Sequence, residues 1–437
     1  MSKIPCLLVL SSCSLISPAV FAKDNPLVRL FNNAEYELNS AVTGYFNKVA
    51  SSQADNHTMA FNSRLTAKSK VSVSDTMSFG MELYANYSTQ KQEYYGAFSS
   101  PDNTLRQAPI IDFNSAWLRY ANDNVELSAG KDCVQTGLSE IYSPVDIFGR
   151  FNLVNPSQMY RLGVWQAGLK YFINDDTLSF KILPVTQRNS IPSQYSRWLG
   201  NTNAPEFSAL ANTYQIEEQN LSVNIENMGY LLNYKGSRAG YDFFGLLYHG
   251  ASIYPTLNYS NNPTQLIKNE SLATAISGGV MKVIEEWKFY GEAIYQRPDN
   301  NQDDSFIRYS IGVSYSDSQL ANALGFNQIN TTLQWSGDET VETSTLLNLA
   351  LSSKQARPFS NTVLAKIEIE QNNEWGYFFS AIQNVAGDAT FIAGAQYKPS
   401  DNLSLRLESG FFDGSENSIF GRWQDNDFLR LRTIYKF

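Results

Sequence analysis

The sequence predicts an all-β fold, a transmembrane antiparallel up-and-down β-barrel of about 18 strands, with 16 as the alternative. Three observations carry this. Over 437 residues the chain is 13% aromatic and only 17% charged, yet its mean hydropathy is negative. That balance excludes disorder, which needs few aromatics and many charges. Beyond the N-terminus no run of about 18 apolar residues occurs, which excludes a bundle of membrane helices. Finally, polar and apolar residues alternate with period two in segment after segment. Such a strand gives one face to lipid and the other to the lumen.

The N-terminus reads as a secretory signal. Lys3 supplies a positive start, a mostly apolar stretch follows, and Val20-Phe21-Ala22 forms a small-x-small cleavage site. Residues 1–22 are therefore expected to be a cleaved signal peptide, 23–38 a short periplasmic segment and 39–437 the barrel. Lipidation at Cys13 is the rival reading of the same stretch. Either way Cys133 is the lone cysteine of the barrel, so no disulfide framework is expected.

Candidate strands follow in order at 39–50, 57–71, 77–89, 113–121, 124–132, 164–174, 177–187, 227–235 and 239–250. The second half continues at 271–284, 286–297, 305–316, 327–337, 345–354, 360–371, 375–384, 390–399, 402–412 and 427–437. In 77–89, Met77, Phe79, Met81 and Leu83 oppose Ser78, Gly80 and Glu82. In 286–297, Trp287, Phe289, Ala293 and Tyr295 oppose Lys288, Glu292 and Gln296. In 305–316, Ile307, Tyr309, Ile311 and Val313 oppose Arg308 and three small residues. In 360–371, Val363, Ala365, Ile367 and Ile369 oppose Lys366, Glu368 and Glu370, and in 402–412 three leucines oppose Ser404, Arg406 and Glu408. The last segment sets Leu429, Leu431, Thr433, Tyr435 and Phe437 against Arg430, Arg432 and Lys436.

Connections alternate in length. Short turns are expected at 72–76, 122–124, 174–176, 235–238, 285–286 and 399–402. Long connections lie near 90–112, 133–163, 188–226 and 252–270, with shorter ones at 298–304 and 413–426. Short periplasmic turns with long external loops are the habit of outer-membrane barrels. The nineteen candidates break the up/down alternation between 327–337 and 360–371. The segment 345–354 is therefore assigned to a loop, leaving eighteen.

The last strand, Leu429-x-Leu431-x-Thr433-x-Tyr435-x-Phe437, resembles the C-terminal assembly signal of bacterial outer-membrane barrels. A second stretch, Ala129-Gly130-Lys131-Asp132 followed by Tyr142-Ser143-Pro144-Val145-Asp146-Ile147-Phe148, resembles one found in porin-like, largely uncharacterised proteobacterial barrels. That family usually carries Trp-Gly where this chain has Thr136-Gly137. The resemblance implies a porin-type channel in the bacterial outer membrane, in contact with lipid, lipopolysaccharide and the barrel-assembly machinery. It names no solute and leaves open whether the barrel is a monomer or a trimer.

The inward register offers Arg64, Lys68, Lys70, Arg119, Lys170, Lys181, Lys288, Arg308, Lys366, Arg406, Arg430 and Arg432 as basic wall residues. Glu82, Glu126, Asp132, Glu292, Glu368, Glu370 and Glu408 are the acidic ones. The whole chain carries −9, so its acidic excess is assigned to loops and turns. A basic wall with low-dielectric sides concentrates anions, although Arg–Glu ladders that merely fill a barrel have the same composition. Loop 133–163 is the expected constriction; it carries Glu140, Asp146, Arg150 and Arg161, with Asp132 at its edge. Loop 187–226, with Arg188, Arg197 and Trp198, is expected either to fold inward or to cap the mouth. Tyr87, Tyr295, Tyr397 and Tyr435 fit the interfacial girdles.

Passive diffusion of small polar solutes is the expected function; structural Arg–Glu pairing is the first reading of the basic wall, and a preference for anionic or zwitterionic solutes is the second. A non-conducting barrel that acts as adhesin or receptor through its loops is the alternative. A barrel hydrolase using His249 and Ser252 is the third reading. No cofactor, metal site or catalytic set is expected: His57 and His249 are the chain's two histidines, and no phosphate loop, dinucleotide fingerprint or zinc motif occurs. An acidic chain offers nothing to nucleic acid.

Overall fold

The computed structural model describes residues 26–437, apart from 50–54, 92, 100–107, 186, 194, 200–214, 220, 253, 255, 345–348, 352–356 and 417. The expected signal peptide and Cys13 thus lie outside the described residues. A short helix, Pro26–Asn32, precedes the sheet, packs against the strand Met59–Ser72 and buries Leu30.

Eighteen antiparallel strands then run in sequence: β1 (Glu35–Tyr45), β2 (Met59–Ser72), β3 (Met77–Ser88), β4 (Ile111–Ala121), β5 (Val125–Asp132) and β6 (Val164–Ile173). They continue with β7 (Asp176–Leu183), β8 (Gly229–Arg238), β9 (Tyr241–Ala251), β10 (Leu272–Ile284), β11 (Trp287–Pro298) and β12 (Ser305–Asp317). The last six are β13 (Gln328–Glu342), β14 (Thr362–Glu370), β15 (Trp375–Asn384), β16 (Ala389–Ser400), β17 (Leu403–Asp413) and β18 (Phe428–Lys436). Each pairs with its chain neighbours, and β18 returns to β1 from Glu37↔Lys436 to Tyr45↔Phe428, which closes the barrel. Closure removes every sheet edge, the one way a sheet can satisfy its backbone in lipid.

The alternation does what it predicts. Leu65, Leu118, Leu169, Leu247, Ile276, Phe289, Ile311, Leu333, Leu407, Leu429 and Leu431 are exposed on the outer face. Their polar neighbours along each strand point inward. Outward aromatics gather in pairs, among them Trp375 stacked on Tyr397 and Trp287 tilted against Tyr315.

Several expectations are corrected. The first strand begins at Glu35 rather than 39, because Glu35, Glu37 and Asn39 continue the inward polar face. The fourth short turn is Ala239-Gly240, not 235–238. Both residues have positive φ, 53° and 77°, the two-residue turn that suits strand twist. Strand β13 runs on to Glu342, five residues past the expected end. The described part of the segment 345–354, Leu349–Leu351, is no wall strand. It joins a small four-stranded sheet with Gln215–Gln219, Thr256–Tyr259 and Gln265–Asn269. A further hairpin, Arg150–Asn152 with Tyr160–Leu162, lies within loop 133–163. All of these extra strands belong to the long-loop end.

Candidate functional site

Loop 133–163 leaves the wall between β5 and β6, crosses the lumen and is fastened to β11, β12 and β13. Leu138 donates its backbone N–H to Glu292 at 2.5 Å, and Ser139 meets the Ser310 hydroxyl at 2.5 Å. Glu140 accepts from Lys288 at 2.8 Å, Ser314 at 2.6 Å and Thr332 at 2.9 Å. Gln334 brackets the Tyr142 backbone, accepting from its N–H and donating to its carbonyl.

The base of the loop is a knot built from the family-like motif. Asp146 accepts from the Thr136 backbone at 3.1 Å and from both terminal nitrogens of Arg161. The Thr136 hydroxyl donates to the Val145 carbonyl at 2.8 Å, and Ser143 Oγ accepts from the N–H groups of Val145 and Asp146. Gly137 is required here. Its φ is 89°, and a Cβ would stand 2.1 Å from Ser143 Oγ. Arg161 is therefore committed to Asp146 and to the Val134 carbonyl at 2.8 Å.

Burial would raise the Glu140 carboxyl, but its bonds to Lys288, Ser314 and Thr332 outweigh this and hold it below the usual carboxylate range. A depressed pKa means the anchor is complete above the ordinary carboxylate pKa and fades only as pH falls through the lower, folded value. The Glu140 anchor of the loop is thus expected to hold from neutral pH down through the ordinary carboxylate range, and to release, with a change in conductance, only below it. Recordings across an acid titration check this, and Glu140→Gln should abolish the transition.

The other predicted residues fall into two groups. Arg150, Arg308 and Arg430 face inward but are sealed, at 1%, 0% and 0% exposure. Arg150 donates to the Arg188 carbonyl and to Ser190, Arg308 pairs with Asp338 at 3.2 Å, and Arg430 pairs with Glu408 at 2.8 Å. These are corrected from lining residues to loop and wall anchors: the in-folded loops cover them. The remainder keep some access to the interior. Arg64 lies between the rings of Tyr84 and Tyr160, at 4.0 and 3.9 Å, with Glu82 at 3.9 Å. Arg119 approaches Glu126 and Asp132, and Lys170 pairs with Glu126 at 2.8 Å. Lys288 holds Glu140, Lys181 donates to Gln166 at 2.8 Å, and Lys366 pairs with Glu368 at 2.8 Å. Arg406 and Arg432 join Arg430 around the single carboxylate of Glu408, at 3.0 and 3.2 Å. Lys68 and Lys70 are exposed to the lumen.

Loop 187–226 places Arg197 at the mouth beside β1 and β18. Its guanidinium lies 3.5 Å from the Tyr45 ring and donates to Asn426 and to the carbonyls of Asn47, His57 and Asp425. The His249–Ser252 pair that the hydrolase reading would need does not form. His249 sits on the outer face against Thr274 at 3.1 Å, while Ser252 points inward to Gln296 at 3.0 Å. Among the described residues no group of His, Cys, Asp and Glu could hold a metal ion.

Sequence reasoning missed a buried triad, Arg308–Asp338–Arg357. Arg357 donates to both Asp338 oxygens at 2.6 and 2.9 Å. It also missed the buried Lys131–Asp112 pair at 3.0 Å. What these anchors leave open is a cavity of about 1670 Å3. It reaches from Glu35, Glu37 and Lys436 at the turn end, past Lys68, Arg64, Arg406 and Arg432, to Phe359, Phe420 and Trp423 at the loop end.

No family model and no curated protein matches the chain. Solved structures do. Acinetobacter baumannii OccAB3 is similar at 11% identity over 93% of this chain and 99% of that one, with a TM-score of 0.50. Pseudomonas aeruginosa OccK11 (OpdR) is similar at 9% identity over 92% and 95%, also at 0.50. A mutant Rh. blastica porin aligns at 9% identity over 92% and 99%, with a TM-score of 0.41. In fold, then, the chain is a closed antiparallel β-barrel of eighteen strands, of the porin type.

Proposed function

We propose that the protein is an outer-membrane channel for passive diffusion of small polar solutes. The observation that carries this is the cavity, which runs along the lumen inside a closed apolar belt and is large enough for a metabolite-sized molecule. In this reading loop 133–163 forms the constriction, and the wall residues Lys68, Arg64, Arg406 and Arg432 face the path. Nine basic and six acidic side chains line the cavity, which supports a preference for anionic or zwitterionic solutes. The preference is modest, because the wall bases Arg64, Arg406 and Arg432 and the loop's Arg161 stand beside Glu82, Glu408 and Asp146, and paired charges attract little.

Under a KCl gradient the reversal potential of single channels should have the sign of weak chloride selectivity, and it should shrink in Lys68→Ala. Cation selectivity would sink the anion preference while leaving the channel. A barrel that inserts into a bilayer without conductance steps would sink the channel and favour a surface-binding role for the loops.

A further inference from the structure

Two loop phenylalanines, Phe98 and Phe359, adopt a backbone conformation that nothing in their own chemistry favours, and of the two it is Phe359 that lines the cavity. Phe359 has φ 61°, the left-handed region, which an aromatic side chain rarely enters. Strain of this kind persists only where the surroundings over-determine it, and here they do. Before it, Arg357 is tied to Asp338 at 2.6 and 2.9 Å, and Arg308 donates to the Pro358 carbonyl. After it, the Val385 N–H donates to the Asn361 carbonyl at 3.0 Å, and Thr362 Oγ1 donates to the Ser360 carbonyl at 3.1 Å.

The outcome of this bracing is the placement of one ring. Phe359 lies edge to face with Tyr142 of the constriction loop, centroids 4.6 Å apart, and stacks on Phe420 at 6.2 Å. Phe420 in turn meets Trp423 at 6.4 Å. All four rings line the cavity, and Phe359 is only half-buried. A residue whose sole task was packing could sit on an unstrained backbone. Here a buried ionic triad holds a strained one so that a ring spans the gap between two loops.

We propose that Phe359 is a specificity-determining residue of the pathway. It narrows the loop end of the lumen and offers passing solutes an aromatic face. Solutes carrying an apolar ring are thereby favoured over fully polar solutes of the same charge. The proposal rests on the channel reading.

The test uses the full barrel in liposomes, with phenylalanine and glutamine as solutes at low concentration, since both are zwitterions. Wild-type, Phe359→Leu and Phe359→Ala proteins are compared, each first confirmed as folded by heat-modifiable gel mobility. Wild type should carry phenylalanine faster than glutamine. The ratio should fall on the order of threefold in Phe359→Leu, the scale of one lost aromatic contact. Phe359→Leu keeps apolar bulk, so loss of the ratio there reports the ring itself. Phe359→Ala should lose the ratio as well and should also raise single-channel conductance. An unchanged ratio in Phe359→Leu with unchanged conductance in Phe359→Ala overturns the assignment. Wild type that conducts no ions and passes neither zwitterion removes the channel reading, and this proposal with it.

Discussion

Asp338→Ala is expected to destabilise the barrel by roughly 3–5 kcal/mol, the cost of removing one partner from a buried ionic cluster. Asp338 is fully buried and serves two equally buried guanidinium groups, Arg308 at 3.2 Å and Arg357 at 2.6 Å. Without it, two positive charges face each other in a site of low polarity, where their repulsion is poorly screened. The damage also spreads locally. Arg357 sits over the Phe306 ring at 4.0 Å and Arg308 holds the Pro358 carbonyl, so segment 357–361 loses its moorings. Asp338→Asn keeps the shape and some hydrogen bonds, and should fall between wild type and Ala. Denaturant unfolding in detergent micelles measures this. A wild-type midpoint for Asp338→Ala would show that the triad contributes nothing to stability.

The second large effect is on conductance. Replacing residues 136–160 with a short Gly–Ser linker should raise single-channel conductance several-fold and weaken any charge selectivity. The barrel should survive, because β5 and β6 pair directly from Val125↔Tyr171 to Asp132↔Val164 without help from the loop. The loop's bonds to Glu292, Ser310, Lys288, Ser314 and Thr332 show that it crosses the lumen. Planar-bilayer recording decides the matter. An unchanged conductance would place the narrowest point in the loops around Trp198 and Phe359 instead.

The wall was legible because its signal is local. Each strand declares its inward face through its own alternation, and parity fixed the count at eighteen. The errors sit where that signal stops. Asp338 was lost because β13 was ended one residue short of it, although Gln334 and Ser336 already pointed to an inward residue at 338. Asp112 is missed because the expected start of β4, at 113, lies two residues after the observed one, and the strand carries a register shift opposite Glu82 and Leu83 of its partner β3. The burial of Arg150, Arg308 and Arg430 was out of reach: it depends on which loop covers which wall, and those contacts join residues far apart in the chain. Phe359 gave no sequence signal at all. Its neighbours Arg357 and Pro358 hint at a rigid, anchored step, but the ring's position follows from three separate loops meeting.

The closure of the barrel also sets the order of events in its making. The seam joins β1 to β18, and the Arg430 side chain bonds Thr43 across 387 positions of chain, at 3.1 Å. No other wall pairing spans a comparable distance, since the rest join consecutive strands. The entropic cost of bringing these two strands together is incurred once and last. Until then, seventeen good hairpin-like pairings end in two open edges that lipid cannot solvate. A wall inserted into lipid strand by strand would carry those two edges until β18 met β1, a cost that insertion as a closed unit avoids.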